Sequence, residues 1–129
     1  MLRTTKQGVN NVQMRYFDLA KKISKLSNHE HHKLGSVIVR GSKIVSVGTN
    51  NIKTHPKSRH PFFSLHSETA AILLAKQDLR SCEIYVYRET KAGIPAMSRP
   101  CIYCLPLIKE SGIKEVHYST NGSYKTEKI

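Results

Sequence analysis

The chain has 129 residues, of which 39% are hydrophobic and 7% aromatic, a composition typical of a globular domain. It contains no run of about 18 apolar residues, and residues 1–6 lack the apolar segment of a secretory signal. We therefore expect one domain over residues 1–129, located in the cytoplasm and without a membrane partner. The 21 basic residues outnumber the 9 acidic ones and give a net charge of +12, which favours a phosphate-bearing partner.

The spacing of apolar residues predicts an alternation of helices and strands. An amphipathic stripe from Val12 to Leu26 predicts a first helix. The turn residues 40–42 and the Asn-Gly pair at 121–122 each predict a hairpin. In chain order we predict helix 9–26, strands 36–39 and 43–47, helix 65–76, strand 84–87, helix 101–111, and strands 115–120 and 123–128. An α/β layered domain, with helices on the faces of a mixed sheet, packs these elements economically.

Two short motifs carry metal-binding residues to the starts of two predicted helices. His66 stands at the start of the second helix, and Cys101 and Cys104 follow Pro100 at the start of the third. A catalytic zinc ion takes three protein ligands of these types and keeps a fourth position open for water. A helix N-terminus also favours the thiolate form of cysteine, which is the form that binds metal. The sequence therefore predicts a zinc ion held by His66, Cys101 and Cys104.

Glu68 lies two residues after His66 and is the predicted catalytic acid and base. Each motif alone is weak, but H-x-E followed by P-C-x-x-C is the signature of zinc-dependent nucleobase deaminases. A purely structural zinc would recruit a fourth ligand and would have no use for Glu68. The predicted reaction is hydrolytic: an activated water attacks the ring carbon that bears the amino group, and Glu68 moves the protons.

The chain resembles the cytidine and deoxycytidylate deaminase superfamily most clearly over residues 35–118. The matching segments are residues 35–39, 48–50, 66–68, 100–104 and 111–116. The resemblance implies a three-layer α/β/α fold around a mixed five-stranded sheet with a C-terminal antiparallel hairpin, and it places Asn50 in the substrate pocket. Ser67 stands where the family usually has alanine, a small-for-small change that we expect to be tolerated.

Two departures from the family pattern leave the substrate open. The connection 88–99 is longer than in a typical deoxycytidylate deaminase, where a strand leads almost directly into the P-C motif. The antiparallel hairpin around residues 121–122 resembles the free-cytidine deaminases more closely than the other branches.

Further residues are candidates for holding the substrate. Phe63, just ahead of His66, could stack on a base or belong to the core. No acidic residue occurs between Glu30 and Glu68, so the lysines and arginines of that segment are candidates for phosphate contacts. The predicted substrate contacts are Asn50, Phe63, Ser67, Pro100 and Tyr103, and the predicted phosphate contacts are Lys53, Lys57, Arg59, Arg88 and Arg99.

Three functions remain open from the sequence. A cytosine nucleotide such as deoxycytidylate is the favoured substrate, because it explains both the resemblance and the basic segment. Cytosine or adenine in single-stranded RNA or DNA is the alternative, because it accounts better for the whole positive charge. A catalytically silent nucleic-acid-binding module with the same zinc fold is the third, and Glu68 argues against it. A homo-oligomer is compatible with the sequence, which leaves the oligomeric state open.

Overall fold

The computed structural model describes residues 9–28, 32–50 and 66–129. These residues form three helices and five strands. In chain order the elements are α1 (Asn11–Ser24), β1 (Leu34–Arg40), β2 (Lys43–Thr49), α2 (Ser67–Ala75), β3 (Glu83–Arg88), α3 (Cys104–Glu110), β4 (Glu115–Thr120) and β5 (Ser123–Lys128). Within these residues, no helix has the length and apolar character needed to cross a membrane.

The strands form one mixed sheet in the order β2-β1-β3-β4-β5. Strand β1 pairs antiparallel with both β2 and β3, while β3 and β4 run parallel. The parallel pair is connected through α3, as a parallel connection requires a crossover. Strands β4 and β5 pair antiparallel around the turn at 121–122, which confirms the predicted C-terminal hairpin.

Alternate residues of the central strands face opposite helices. On β1, Val37 and Val39 pack with α1, whereas Ile38 faces α2 and α3. On β3, Tyr85 and Tyr87 lie on the α1 side. Because successive side chains of a strand point to opposite faces, the sheet is buried between two helical layers. The predicted three-layer α/β/α arrangement is confirmed.

Local sequence explains where α1 begins and where it differs from the prediction. The Asn10 side chain accepts a hydrogen bond from the Gln13 backbone N–H at 2.8 Å, and the Gln13 side chain accepts one from the Asn10 N–H. This reciprocal capping fixes the start of the helix. The helix ends at Ser24, two residues before the predicted end, because the next three backbone N–H groups bond to carbonyls three residues back instead of four. Leu26, at the predicted end, is exposed.

Helix α3 begins three residues later than predicted. The segment from Cys101 to Tyr103 forms a turn, in which the Cys104 and Leu105 N–H groups both donate to the Cys101 carbonyl. Pro100 therefore precedes this turn and does not open the helix itself. The two cysteines consequently lie on a turn and on the first helical residue.

Strand β2 approaches α2 closely at Gly48. A Cβ atom at this position would lie 2.4 Å from the Ala71 nitrogen and 2.6 Å from the Ser67 carbonyl oxygen, both backbone atoms of α2. No side chain fits there without moving the helix. Because α2 follows directly from His66, this contact sets the position of the first motif.

We expect Gly48→Ala to destabilise the protein by about 1–3 kcal/mol or more, because the added methyl group must displace helix backbone. Urea denaturation followed by circular dichroism measures the loss. The exposed turn residue Ser42 offers a control, since Ser42→Ala should change the free energy of unfolding by less than about 0.5 kcal/mol. A Gly48→Ala variant as stable as the wild type would contradict the close approach.

Candidate active site

Three metal-ligand side chains meet where α2 and α3 begin. The Nδ1 atom of His66, the residue before α2, lies 3.6 Å from the Cys101 sulfur and 3.4 Å from the Cys104 sulfur. The ligand atoms of all three residues lie within 4.8 Å of one another. The structure therefore brings together the three residues that the sequence predicts as zinc ligands.

The distances suit a tetrahedral zinc ion. Zn–S and Zn–N bonds of about 2.3 and 2.1 Å at tetrahedral angles place the sulfur and nitrogen atoms about 3.6 Å apart. The observed separations of 3.4 and 3.6 Å agree with this value. The remaining cysteine, Cys82, lies in the hydrophobic core and belongs to no metal-ligand cluster among the residues described. Three donors leave a fourth coordination position for water or substrate.

The electrostatics of the cluster also favour a cation. Burial raises the pKa of the Cys104 thiol, and the neighbouring Glu68 carboxylate and Cys101 shift this pKa in the same direction. Burial lowers the pKa of His66, which keeps its imidazole neutral and able to coordinate a metal. A bound divalent cation deprotonates a coordinating thiol outright. The residues present therefore fit a zinc ion in both geometry and charge.

A second cluster of possible ligands lies on the other face of the sheet. It consists of Glu83, Glu115 and His117, at the starts of β3 and β4. There the His117 Nε2 atom is 2.6 Å from a Glu83 oxygen, which is a direct hydrogen bond. Two ligands of one zinc ion would lie about 3.4 Å apart. This cluster therefore forms a hydrogen-bonded network within the structure.

Glu68 is buried beside the metal-ligand cluster. Its side chain is 2% exposed and belongs to the first turn of α2. The Ser67 hydroxyl donates a hydrogen bond to the Glu68 Oε1 atom at 2.7 Å and lies 2.7 Å from the Ser36 hydroxyl of β1. The sequence predicts that Ser67 contacts substrate. In the structure this residue is fully buried, and its hydroxyl is hydrogen-bonded to Ser36 and Glu68.

Sequence analysis did not identify Ser36 or Thr69 as residues of the site. The Thr69 hydroxyl lies 3.7 Å from the Cys104 sulfur and so connects α2 to a metal ligand on α3. Neither residue belongs to the H-x-E motif or to the P-C-x-x-C motif. Their partners lie 31 and 35 positions away, and no local pattern indicates such contacts.

Asn50 makes structural contacts with the backbone. Its side-chain oxygen accepts a hydrogen bond from the Leu34 N–H at 2.9 Å, and its side-chain nitrogen donates to the His32 carbonyl. Both ends of the amide therefore tie the end of β2 to the segment that enters β1. The predicted contact between Asn50 and substrate stays a prediction.

Pro100 and Arg99 lie beside α3 and β5. Both line a mainly apolar cavity of about 510 Å³ beside α3 and β5, and none of the three metal-ligand residues lines it. The Arg99 guanidinium donates to the Glu127 carboxylate at 2.6 and 3.2 Å. Arg99 thus pairs with a carboxylate of β5, and its predicted contact with phosphate stays a prediction.

Tyr103 and Arg88 have geometries that leave their predicted roles open. Tyr103, between the two cysteines, is 38% exposed. The Arg88 guanidinium donates to the Met97 carbonyl at 3.4 Å and lies 3.3 Å from a ring nitrogen of His32. It lines a polar cavity of about 410 Å³ together with three lysines, at positions 25, 33 and 91.

The predicted phosphate contacts Lys53, Lys57 and Arg59 and the predicted base contact Phe63 lie outside the described residues.

The fold and the site together define a cytidine deaminase-like α/β domain with a His-Cys-Cys cluster beside a buried glutamate. The family model for the cytidine and deoxycytidylate deaminase zinc-binding region matches residues 10–120. The chain is also 31% identical over 111 residues to the uncharacterized deaminase in the luxG 3′ region of Aliivibrio fischeri, covering 80% of this chain and 69% of that protein. The chain belongs to the cytidine and deoxycytidylate deaminase family.

Solved structures agree on the fold. The dCMP deaminase of cyanophage S-TIM5, in complex with dCMP and dUMP, superposes with a TM-score of 0.64 at 23% identity, covering 89% of this chain and 83% of that one. The cytidine deaminase of Burkholderia pseudomallei gives a TM-score of 0.66 at 21% identity, covering 89% and 91% of the two chains. At these identities the likeness establishes the five-stranded architecture, which is the one that the resemblance implied.

The Arg99–Glu127 pair generates a pH-dependent prediction. Hydrogen bonds from Arg99 and from Tyr118 lower the pKa of Glu127 to about 2, below its usual value of 4.5. The pair therefore stabilises the fold above about pH 4.5, and this contribution is lost as the pH falls towards 2. Because the carboxylate is about one-third exposed, we expect Glu127→Gln to cost only about 0.5–1 kcal/mol at pH 7.

Urea denaturation of the wild type and of Glu127→Gln at pH 7 and pH 3 tests this expectation. The difference in unfolding free energy between the two proteins should shrink at the lower pH. An equal difference in unfolding free energy at both pH values would show that the ionised Glu127 carboxylate does not stabilise the fold through its pair with Arg99.

Proposed function

We propose that the protein is a zinc-dependent hydrolytic deaminase that converts a cytosine nucleotide, of the deoxycytidylate type, to the corresponding uracil nucleotide and ammonia. The observation that carries the proposal is the convergence of His66, Cys101 and Cys104 at zinc-ligand distances beside the buried carboxylate of Glu68. A metal cluster alone is compatible with a structural role. A buried carboxylate next to three donors is the arrangement that hydrolysis needs.

Each residue has a distinct part in this proposal. His66, Cys101 and Cys104 hold the zinc ion, which when bound lowers the pKa of the attacking water. Glu68 accepts one proton of that water and delivers it to the ring nitrogen of the base as the oxygen bonds to the ring carbon. It then passes the second proton to the amino group, which leaves as ammonia while the carbonyl forms. The low exposure of Glu68 keeps competing water away from the proton that it carries.

The substrate class is inferred from the family and from charge. The superposed cyanophage enzyme binds dCMP and dUMP, which is a property of that protein and supports a nucleotide here. The net charge of +12 agrees with a substrate that carries phosphate. The cavity lined by Arg88 and Lys33 lies where β3 ends and β1 begins, and its four cationic side chains outnumber its one carboxylate, that of Glu89.

We expect the purified protein to contain about one zinc ion per chain and Cys101→Ala to contain none, because two donors do not hold the ion tightly. Elemental analysis after dialysis measures the stoichiometry. Cys82→Ala is the matched control, because it removes a buried thiol outside the cluster and should retain the metal. Full zinc occupancy in Cys101→Ala would remove this residue from the metal site.

We expect Glu68→Ala to keep the zinc and the fold but to lower kcat by about 10²–10⁴-fold, the usual cost of losing a general acid–base group. Ammonia release from deoxycytidylate, cytidine, adenosine nucleotides and single-stranded oligonucleotides measures activity and identifies the substrate. Glu110→Gln, an exposed carboxylate at the end of α3, serves as the control. Wild-type turnover in Glu68→Ala would show that another group moves the protons.

The salt dependence of substrate affinity separates a nucleotide from a nucleic acid. A strand neutralised at Z phosphates gives a log–log slope of about −0.7Z, whereas a mononucleotide with one phosphate gives a shallow slope. Replacing Lys53, Lys57 and Arg59 together by alanine should weaken binding and leave the zinc in place. Normal binding and turnover by this triple variant at low salt would rule out phosphate recognition by these side chains.

A further inference from the structure

Three buried polar side chains form a chain of hydrogen bonds that ends on Glu68. Ser36 in β1 and Ser67 at the first position of α2 have no exposed surface, and Glu68 is 2% exposed. The two serine hydroxyls are 2.7 Å apart, and the Ser67 hydroxyl is 2.7 Å from the Glu68 Oε1 atom. These distances are typical of strong hydrogen bonds between oxygen atoms.

The direction of the chain follows from the number of hydrogens available. A serine hydroxyl has one hydrogen to donate, whereas an ionised carboxylate only accepts. The hydrogen of Ser67 goes to Glu68, so the bond between the two serines must be donated by Ser36. Each bond thus polarises the next in the direction of the carboxylate, which strengthens hydrogen bonds arranged in series.

The hydrogen-bond chain restrains a side chain that would otherwise have several conformations. Glutamate has three rotatable bonds, and a catalytic group must be held within about 0.5 Å of its working position. Ser67 can hold Glu68 because Ser67 is itself held by Ser36, which belongs to a central strand of the sheet. Alanine at position 67 would supply no hydroxyl for this purpose.

We propose that Ser67, supported by Ser36, is a positioning residue that orients the Glu68 carboxylate for proton transfer. This proposal rests on the proposed function, because it assigns Glu68 the proton transfers of deamination. Neither serine touches the substrate in this view. Both act through Glu68, and Ser36 acts only through Ser67.

The test compares Ser67→Ala, Ser36→Ala and the double variant with the wild type. We expect Ser67→Ala to lower kcat about ten- to a hundredfold, the factor associated with losing a hydrogen bond to a charged group, and to change KM less than about twofold. Ser36→Ala should lower kcat by a smaller factor. The double variant should match Ser67→Ala, because removing Ser36 has no further effect once Ser67 is gone.

Ser46→Ala is the matched control. The Ser46 hydroxyl also reaches from the sheet to α2, but it donates to the Ala71 carbonyl at 2.7 Å, one turn further along the helix. The Ser46→Ala substitution therefore removes a bond to the same helix without removing a donor to Glu68. We expect this variant to keep wild-type kcat, and all four variants to keep the zinc.

Three kinetic results and one structural result would overturn the proposal. The first is wild-type kcat in Ser67→Ala, the second is an equal loss in Ser46→Ala, and the third is a double variant whose loss is the product of the two single losses. Crystal structures of the wild type and Ser67→Ala give a readout that does not need activity, since the Glu68 side chain should change conformation in the variant. An inactive wild type would reject the proposed function, and an unchanged Glu68 conformation would separately reject the positioning role.

Discussion

Helix α2 lies against strand β2 at a distance that only glycine at position 48 permits. The backbone atoms of Ala71 and Ser67 occupy the volume in which a side chain at this position would begin. Two hydroxyl groups extend the same contact: Ser46 bonds to the Ala71 carbonyl, and Ser36 bonds to the Ser67 hydroxyl. The first turn of α2 is therefore fixed to β2 at Gly48 and to β1 at Ser36, whereas the Ser46 bond holds only the second turn. His66 and Glu68 take their positions from this contact, because they begin that turn.

The second half of the site depends on the sheet in a similar way. The Ser98 hydroxyl, buried just before Pro100, donates to the Val86 carbonyl of β3 and lies 2.8 Å from the Ser119 hydroxyl of β4. These bonds fix the end of the long connection where it turns towards Cys101. Both motifs are thus held by backbone and hydroxyl contacts with the sheet.

The sequence predicted the existence and type of all eight elements because their patterns are local. A short run of Ile, Tyr and Val marked β3, an apolar run without Gly or Pro marked α2, and the Asn-Gly turn marked the final hairpin with the observed strand bounds. The start of α3 was predicted three residues early. Proline is compatible with the first turn of a helix, but here the carbonyl of Cys101 accepts the bonds that form the turn. The sequence singled out the three residues of the His-Cys-Cys cluster because ligand type and spacing are themselves local signals.

The roles of single polar residues were harder to predict because they depend on distant partners. Arg99 was predicted to bind phosphate from its charge and position, yet the carboxylate that pairs with it comes from β5. Asn50 was placed in the substrate pocket by resemblance, and its amide joins two segments of backbone. In both cases the side chain has the expected chemistry. The partner is set by the order of the strands, which a single motif does not reveal.

Ser67 shows why a conservative substitution cannot be judged at one position. Serine and alanine differ by one oxygen, and at an exposed site the exchange would matter little. At a fully buried site an unpaired hydroxyl costs about 1–3 kcal/mol, so the serine requires a partner. Here the partners are Ser36 on one side and Glu68 on the other. Alanine at position 67 would leave the Ser36 hydroxyl without this acceptor, so the residues at positions 36 and 67 have to be interpreted as a pair.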